Sequence, residues 1–153
     1  MLIADTISMT FLIPVVGSLV LYSAGYGAYY GWLFTAIIAA NVAAAGLKEL
    51  TGNGHPLLKR PLGAAACDAF CIGPIVEGKP GFPSGHTTTI AMFIAALWLK
   101  NRDPRILYIG VPWIFAMGWA RVAKRCHTWF QVAGGLILGI SAAYGLHSVL
   151  RLQ

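Results

Sequence analysis

The tetrapeptide Pro83-Ser84-Gly85-His86 opens one apolar segment, while Arg121 and His127 stand at the end of a later segment and the start of the next. Two histidines and several cations brought to one membrane face suit a site that grips a phosphate. One imidazole would attack phosphorus and the other would protonate the leaving oxygen. Around Ser84 and Gly85, the start of a helix offers unpaired backbone N–H groups, a hydroxyl and close backbone approach, which together predict an anion site. Arg121 adds a guanidinium whose forked donors match phosphate oxygens, whereas Lys124 and Arg125 read as charges that fix a loop at the membrane surface. Gln131 lies one helical turn beyond His127, on the same face, so a side-chain relay between them is expected.

These residues depend on the segments that carry them. Uncharged apolar runs extend approximately from Ile7 to Ala24, Ala28 to Leu47, Ser84 to Leu99, Ile106 to Ala120 and Thr128 to Leu150. The expected fold class is therefore all-α, an integral membrane bundle of about five transmembrane helices. Consecutive spans reverse direction, so Lys48, Ser84 to His86, Arg121 and His127 should all reach the same membrane side. The tract Ser23-Ala24-Gly25-Tyr26-Gly27 marks a turn, and Lys100 to Arg105 forms a tight polar turn. Tyr22, Tyr26, Tyr29, Tyr30 and Trp32 supply an interfacial aromatic belt. A long connection, rich in Gly and Pro, runs from Lys48 to Pro83.

Composition sets the same limits. The 153 residues are 58% hydrophobic and 10% charged, too apolar for a water-soluble domain. That length leaves room for one membrane domain, residues 1–153, and no separate soluble one. The net charge of +6 sits in short connections beside apolar segments, which points to lipid headgroups and away from nucleic acid. No Lys or Arg precedes Asp5, so the start does not read as a cleavable signal, and the first helix is expected to stay.

Cys67, Cys71 and Cys126 lack the paired spacing of a zinc site. Either a Cys67–Cys71 bridge or the filling of small apolar gaps accounts for them, and filling suffices. Gly135 and Gly139 allow close helix contact, within the chain or with a second copy in an oligomer; packing inside the chain is the simpler use. The motif-bearing side holds Lys48, Lys59, Arg60, Lys79, Arg121, Lys124 and Arg125, against Lys100, Arg102, Arg105 and Arg151 opposite. With three of the first group assigned to phosphate, the sides are equal and the positive-inside rule gives no orientation.

Pro83-Ser84-Gly85-His86, followed by Arg121, five residues and His127, resembles the second and third signature motifs of the type 2 phosphatidic acid phosphatase superfamily. The resemblance runs from about Lys48 to Gly139. It implies a helical bundle that hydrolyses membrane lipid phosphates or diphosphates without a metal or other cofactor. In that scheme His127 becomes a phosphohistidine, and His86 protonates the leaving oxygen and then activates water. Lys48, Arg60, Ser84, Gly85 and Arg121 hold the phosphoryl oxygens. A pocket facing away from the cytoplasm is the family's habit.

The chain departs from the family pattern at three places. The first motif is Lys, six residues, then Arg-Pro, but here that spacing from Lys48 reaches His55-Pro56, and Arg-Pro appears at Arg60-Pro61. Arg60 takes the role with an insertion, and His55 is its rival. Ala120 replaces the usual Ser before Arg121. Gln131 replaces the usual Asp, which leaves the nucleophile without a charged partner and predicts weakened catalysis that Gln131→Asp would raise. The alternative reading is a weakened or inactive relative with a structural or lipid-binding role. The chain also resembles a family member lacking the first of six spans, and the tract from Arg60 to Pro83 is similar to versions in large DNA viruses, which would suit a viral internal membrane.

Overall fold

The computed structural model describes residues 2–151. Among the described residues six helices follow one another: α1 (Leu2–Met9), α2 (Leu12–Ser23), α3 (Ala28–Thr51), α4 (Gly85–Asn101), α5 (Arg105–Ala123) and α6 (Trp129–Arg151). Four segments are long and apolar enough to cross a membrane: Leu2–Ser23, Ala28–Thr51, Arg105–Ala123 and Trp129–Arg151. The protein is an all-helical, multi-pass membrane bundle.

The first expected helix is broken in two at Thr10 and Phe11. Pro14 supplies the reason. It has no N–H to offer the Thr10 carbonyl, and its ring crowds that same carbonyl, so a continuous helix cannot pass through this turn. The Thr10 and Phe11 amides instead donate to the Ile7 and Ser8 carbonyls, in the tighter three-residue pattern.

α4, formed by the third of the expected apolar runs, is not among those four segments. With 17 residues it rises about 26 Å, short of a full hydrocarbon core. It is the centre of the bundle: every residue from His86 to Met92 is buried. A helix enclosed on all sides must satisfy its own polar groups. The Thr88 and Thr89 hydroxyls do so by donating to the Ser84 and Gly85 carbonyls at 2.9 and 3.1 Å. Met92, Ala96 and Leu99 then pack with Leu33, Ile37 and Ala40 of α3 and Ala143 and Leu146 of α6.

α4 and α6 approach closely, since a β-carbon on Gly135 would collide with the Ser84 carbonyl and one on Gly139 with the Thr88 carbonyl. Both glycines are covered by α4 of the same chain. Gly135 and Gly139 therefore serve packing inside the chain.

Between α3 and α4 the chain runs through irregular structure pinned by two antiparallel bridges, Lys59 with Pro80 and Ala65 with Ile75. A disulfide joins Cys67 of this connection to Cys126 in the turn before α6, and Cys71 is a free thiol. The Cys67–Cys71 bridge is therefore not made. Helix counting brings Cys67 and Cys126 to one end of the bundle, although 59 positions separate them.

At the opposite end, the Lys100 ammonium lies 4.1 Å from the Tyr29 ring centroid and 4.3 Å from that of Tyr30. This cation–π contact ties part of the aromatic belt to the α4–α5 turn.

Candidate active site

Ser84 extends into the first turn of α4, and its backbone N–H donates to the Gln131 carbonyl at 3.0 Å, which fixes the mouth of α4 against α6. The Ser84 hydroxyl accepts from Thr87 at 3.2 Å and is fully buried. At Gly85 a β-carbon would stand 3.3 Å from the Asn41 side-chain oxygen, a tight contact that would make Asn41 give by a few tenths of an ångström. Asn41 is a member of the site that the motifs do not mark. A lone polar residue among the alanines of α3 was the available signal; its amide donates to Thr89 Oγ1 at 2.8 Å and braces the start of α4.

His127 leaves only 3% of its surface exposed. Its Nδ1 lies 3.1 Å from Gln131 Oε1, and its Nε2 lies 3.4 Å from Arg60 Nη1. The orientation of the Gln131 amide is decided by its other end, where Nε2 donates to the Leu57 and Lys59 carbonyls at 3.0 and 2.8 Å. Oε1 must then accept, so Nδ1 of His127 carries the hydrogen and Nε2 keeps a lone pair. Arg60 agrees, because a guanidinium can only donate toward that nitrogen. Gly81 is required here: a β-carbon would fall 2.7 Å from Gln131 Oε1.

Arg60 also donates to the Cys126 carbonyl at 2.9 Å, and Arg121 donates to the Cys67 carbonyl at 2.7 Å. Arg121 is fully buried, yet its Nε and Nη1 find no partner among the described residues. His86 Nε2 is likewise buried and unpartnered. Lys48, Arg60 and Arg121 act electrostatically on both imidazoles. Burial first, and then these cations and His86, hold the His127 imidazole well below its ordinary value of 6.5. Burial also pulls the Arg60 guanidinium down.

The structure thus brings together Lys48, Arg60, Ser84, Gly85, His86, Arg121, His127 and Gln131. It leaves out His55, which is exposed and accepts the Leu57 amide at 3.2 Å. Of the two candidates, Arg60 is the one that lies beside His127.

Lys124 is a second correction. Instead of marking the membrane surface it is buried and paired with Asp5 of α1, which ties the first helix to the end of α5. Trp113 on α5 donates to Thr10 at 2.8 Å, and the Phe11 ring covers His86 with centroids 4.3 Å apart. The break between α1 and α2 therefore closes one side of the site. Arg125 is exposed, as a surface charge should be.

A fully buried guanidinium with two donors idle among the described residues, two buried imidazoles and two further cations lie together at one end of a membrane bundle. The chain belongs to the PAP2 superfamily, whose model matches residues 29–152. Lipid A 1-phosphatase of Rhizobium etli is 32% identical over 120 residues, covering 78% of this chain and 48% of that protein. The chain spans about half the length of that curated relative. No solved structure matches the chain.

Proposed function

We propose that the chain is a membrane lipid phosphate or diphosphate phosphatase that works through a phosphohistidine, with His127 as nucleophile and no metal. The observation that carries this reading is the fully buried Arg121, whose Nε and Nη1 lack partners among the described residues, in the same cluster as His127, whose Nε2 keeps a lone pair that faces Arg60. An oxyanion supplies what those donors need, and phosphate is the oxyanion an imidazole can attack.

In the first step the Nε2 lone pair of His127 bonds to phosphorus, and the bond from phosphorus to the lipid oxygen breaks. His86 gives that oxygen its proton. Lys48, Arg60, Arg121, the Ser84 hydroxyl and the Gly85 N–H stabilise the charge on the three equatorial oxygens. Gln131 accepts from Nδ1 and holds the ring in line. In the second step His86 takes a proton from water, the water oxygen attacks phosphorus, and the bond to Nε2 breaks to release inorganic phosphate.

The lipid chain has a place to lie. A cavity of about 490 Å³ between α4, α5 and α6 starts beside the site at Thr87, Gly118 and Trp129 and continues to Trp98 and Tyr144. From Thr87 to Trp98 the helix rises about 16 Å, close to half of a ~30 Å hydrocarbon core. A chain within one leaflet would fit. Candidate substrates are phosphatidic acid, phosphatidylglycerol phosphate and isoprenyl diphosphates. The name of the Rhizobium relative adds lipid A.

Phosphate release from each of these lipids in micelles, with His127→Ala as control, tests the reading. Release by the native chain alone is expected. Absence of release from every lipid would leave the structural or lipid-binding alternative that the neutral Gln131 motivates.

A further inference from the structure

We infer that the Cys67–Cys126 disulfide is a positioning element of the phosphate site, acting through two backbone carbonyls that each grip one of the two phosphate-binding arginines. This rests on the phosphatase reading above and assigns a part of the site that neither the motifs nor the relatives supply.

The arrangement is crossed. Arg60 belongs to the connection between α3 and α4, yet it donates to the carbonyl of Cys126 in the turn before α6. Arg121 belongs to α5, yet it donates to the carbonyl of Cys67 in that connection. Each guanidinium therefore spans the two segments that the disulfide joins, and each is anchored on the cysteine of the segment opposite. The anchors are buried: Cys126 is fully enclosed and Cys67 nearly so, packed with Ala64 and Val76. The Cys126 and His127 amides both donate to the Arg121 carbonyl, at 3.0 and 3.2 Å. The nucleophile, both arginines and both half-cystines thus share one hydrogen-bonded unit.

The connection is held internally by backbone hydrogen bonds such as Val76 to Ala64 at 2.8 Å and Ala66 to Gly73 at 3.1 Å, so it can shift as a unit, and the disulfide is its covalent tie to the turn before α6. Without the covalent tie, the Cys67 and Cys126 carbonyls lose the bond that fixes their separation, and the hydrogen bonds of Arg60, Arg121 and Gln131 are left to hold the two segments together. The two guanidinium groups would then lose their common geometry while the helical bundle, built on α3, α4 and α6, stays intact. A disulfide that served only to staple the chain would show no preference for phosphate-site geometry.

Reduction is a two-electron step. Dithiothreitol gives two electrons and two protons to the S–S bond, Cys67 and Cys126 become thiols, and the reductant closes to its own cyclic disulfide. The Cys71→Ser background removes the third thiol as a competing partner. In that background, vanadate binding by calorimetry and phosphate release are measured on the oxidised, reduced and reoxidised protein. Expected are a tenfold or greater loss of both on reduction, unchanged helix content by circular dichroism, and recovery on reoxidation. Vanadate binding that is equal in the oxidised and reduced proteins would overturn the proposal.

If reduction also loosens the fold, a double-mutant cycle decides. The loss of vanadate affinity caused by Cys67→Ala with Cys126→Ala is compared in native and Arg121→Lys backgrounds. A smaller loss in the Arg121→Lys background is expected, because the cysteines act through that arginine; equal losses would make the disulfide a plain staple and overturn the proposal. Tight vanadate binding without phosphate release would count against the phosphatase reading, and leave this one to the binding data.

Discussion

Gln131 Oε1 meets His127 Nδ1 at 3.1 Å, while the nitrogen of the same amide donates to the carbonyls of both Leu57 and Lys59. One neutral side chain therefore orients the histidine and ties the α3–α4 connection to α6. A carboxylate in its place could still accept from Nδ1, but it would face two carbonyls with no hydrogen to give.

That geometry reverses the gain that the family pattern suggests for Gln131→Asp. The substitution takes the donor away from the Leu57 and Lys59 carbonyls and so unties the α3–α4 connection from α6. Thermal melting should show the destabilisation, and phosphate release should fall. A faster and equally stable Gln131→Asp protein would contradict the role given to the amide.

His86→Ala should slow hydrolysis of an alkyl lipid phosphate by about 10²–10⁴-fold, the usual range for a general acid. An aryl phosphate, whose leaving oxygen needs little help from a proton, should lose far less. Comparison of kcat for the two substrate types checks this. Equal losses on both would mean that His86 binds phosphate rather than protonating the leaving group.

The sign of the pH dependence follows from the charges around His127. Burial and neighbouring cations disfavour its imidazolium, so in the substrate-free protein the ring should titrate below 6.5 and keep its lone pair at neutral pH. Removing a neighbouring positive charge makes the imidazolium less costly, so Arg60→Gln should move that titration upward. NMR of the ring nitrogens reads both values. An unchanged or lower value in Arg60→Gln would contradict the electrostatic contact.

Gly135→Ala places a β-carbon against the Ser84 carbonyl, backbone that cannot yield cheaply. Overpacking of this kind costs about 1–3 kcal/mol. At Gly145 a β-carbon would meet nothing within 4 Å, so the same change there should be neutral or slightly stabilising. Melting temperatures of the two variants, with vanadate affinity as a second readout, separate the effects. Equal behaviour would mean that the α4–α6 contact does not set the mouth of the site.

Much of this site was legible in the residues. Ser84, Gly85, His86, Arg121 and His127 announce themselves by type and spacing, and reversal of successive helices is enough to bring them to one end. Arg60 was legible only as a choice against His55, because spacing along an irregular connection carries no register. The disulfide and the Asp5–Lys124 pair were not legible, since both join positions far apart in sequence through side chains that also have local explanations. The break at Thr10 had a signal, Pro14, that the apolar run concealed. The enclosed character of α4 was hidden because a buried helix and a lipid-facing span are equally apolar; its three consecutive threonines, all buried, were the distinguishing trace.

The most direct test is to quench the protein during turnover of a lipid carrying radiolabelled phosphate and to look for label on the chain. The account predicts phosphate bound through nitrogen to His127, absent in His127→Ala and still formed, more slowly, in His86→Ala. Label that persists in His127→Ala, or turnover with no labelled chain at any quench time, would contradict it.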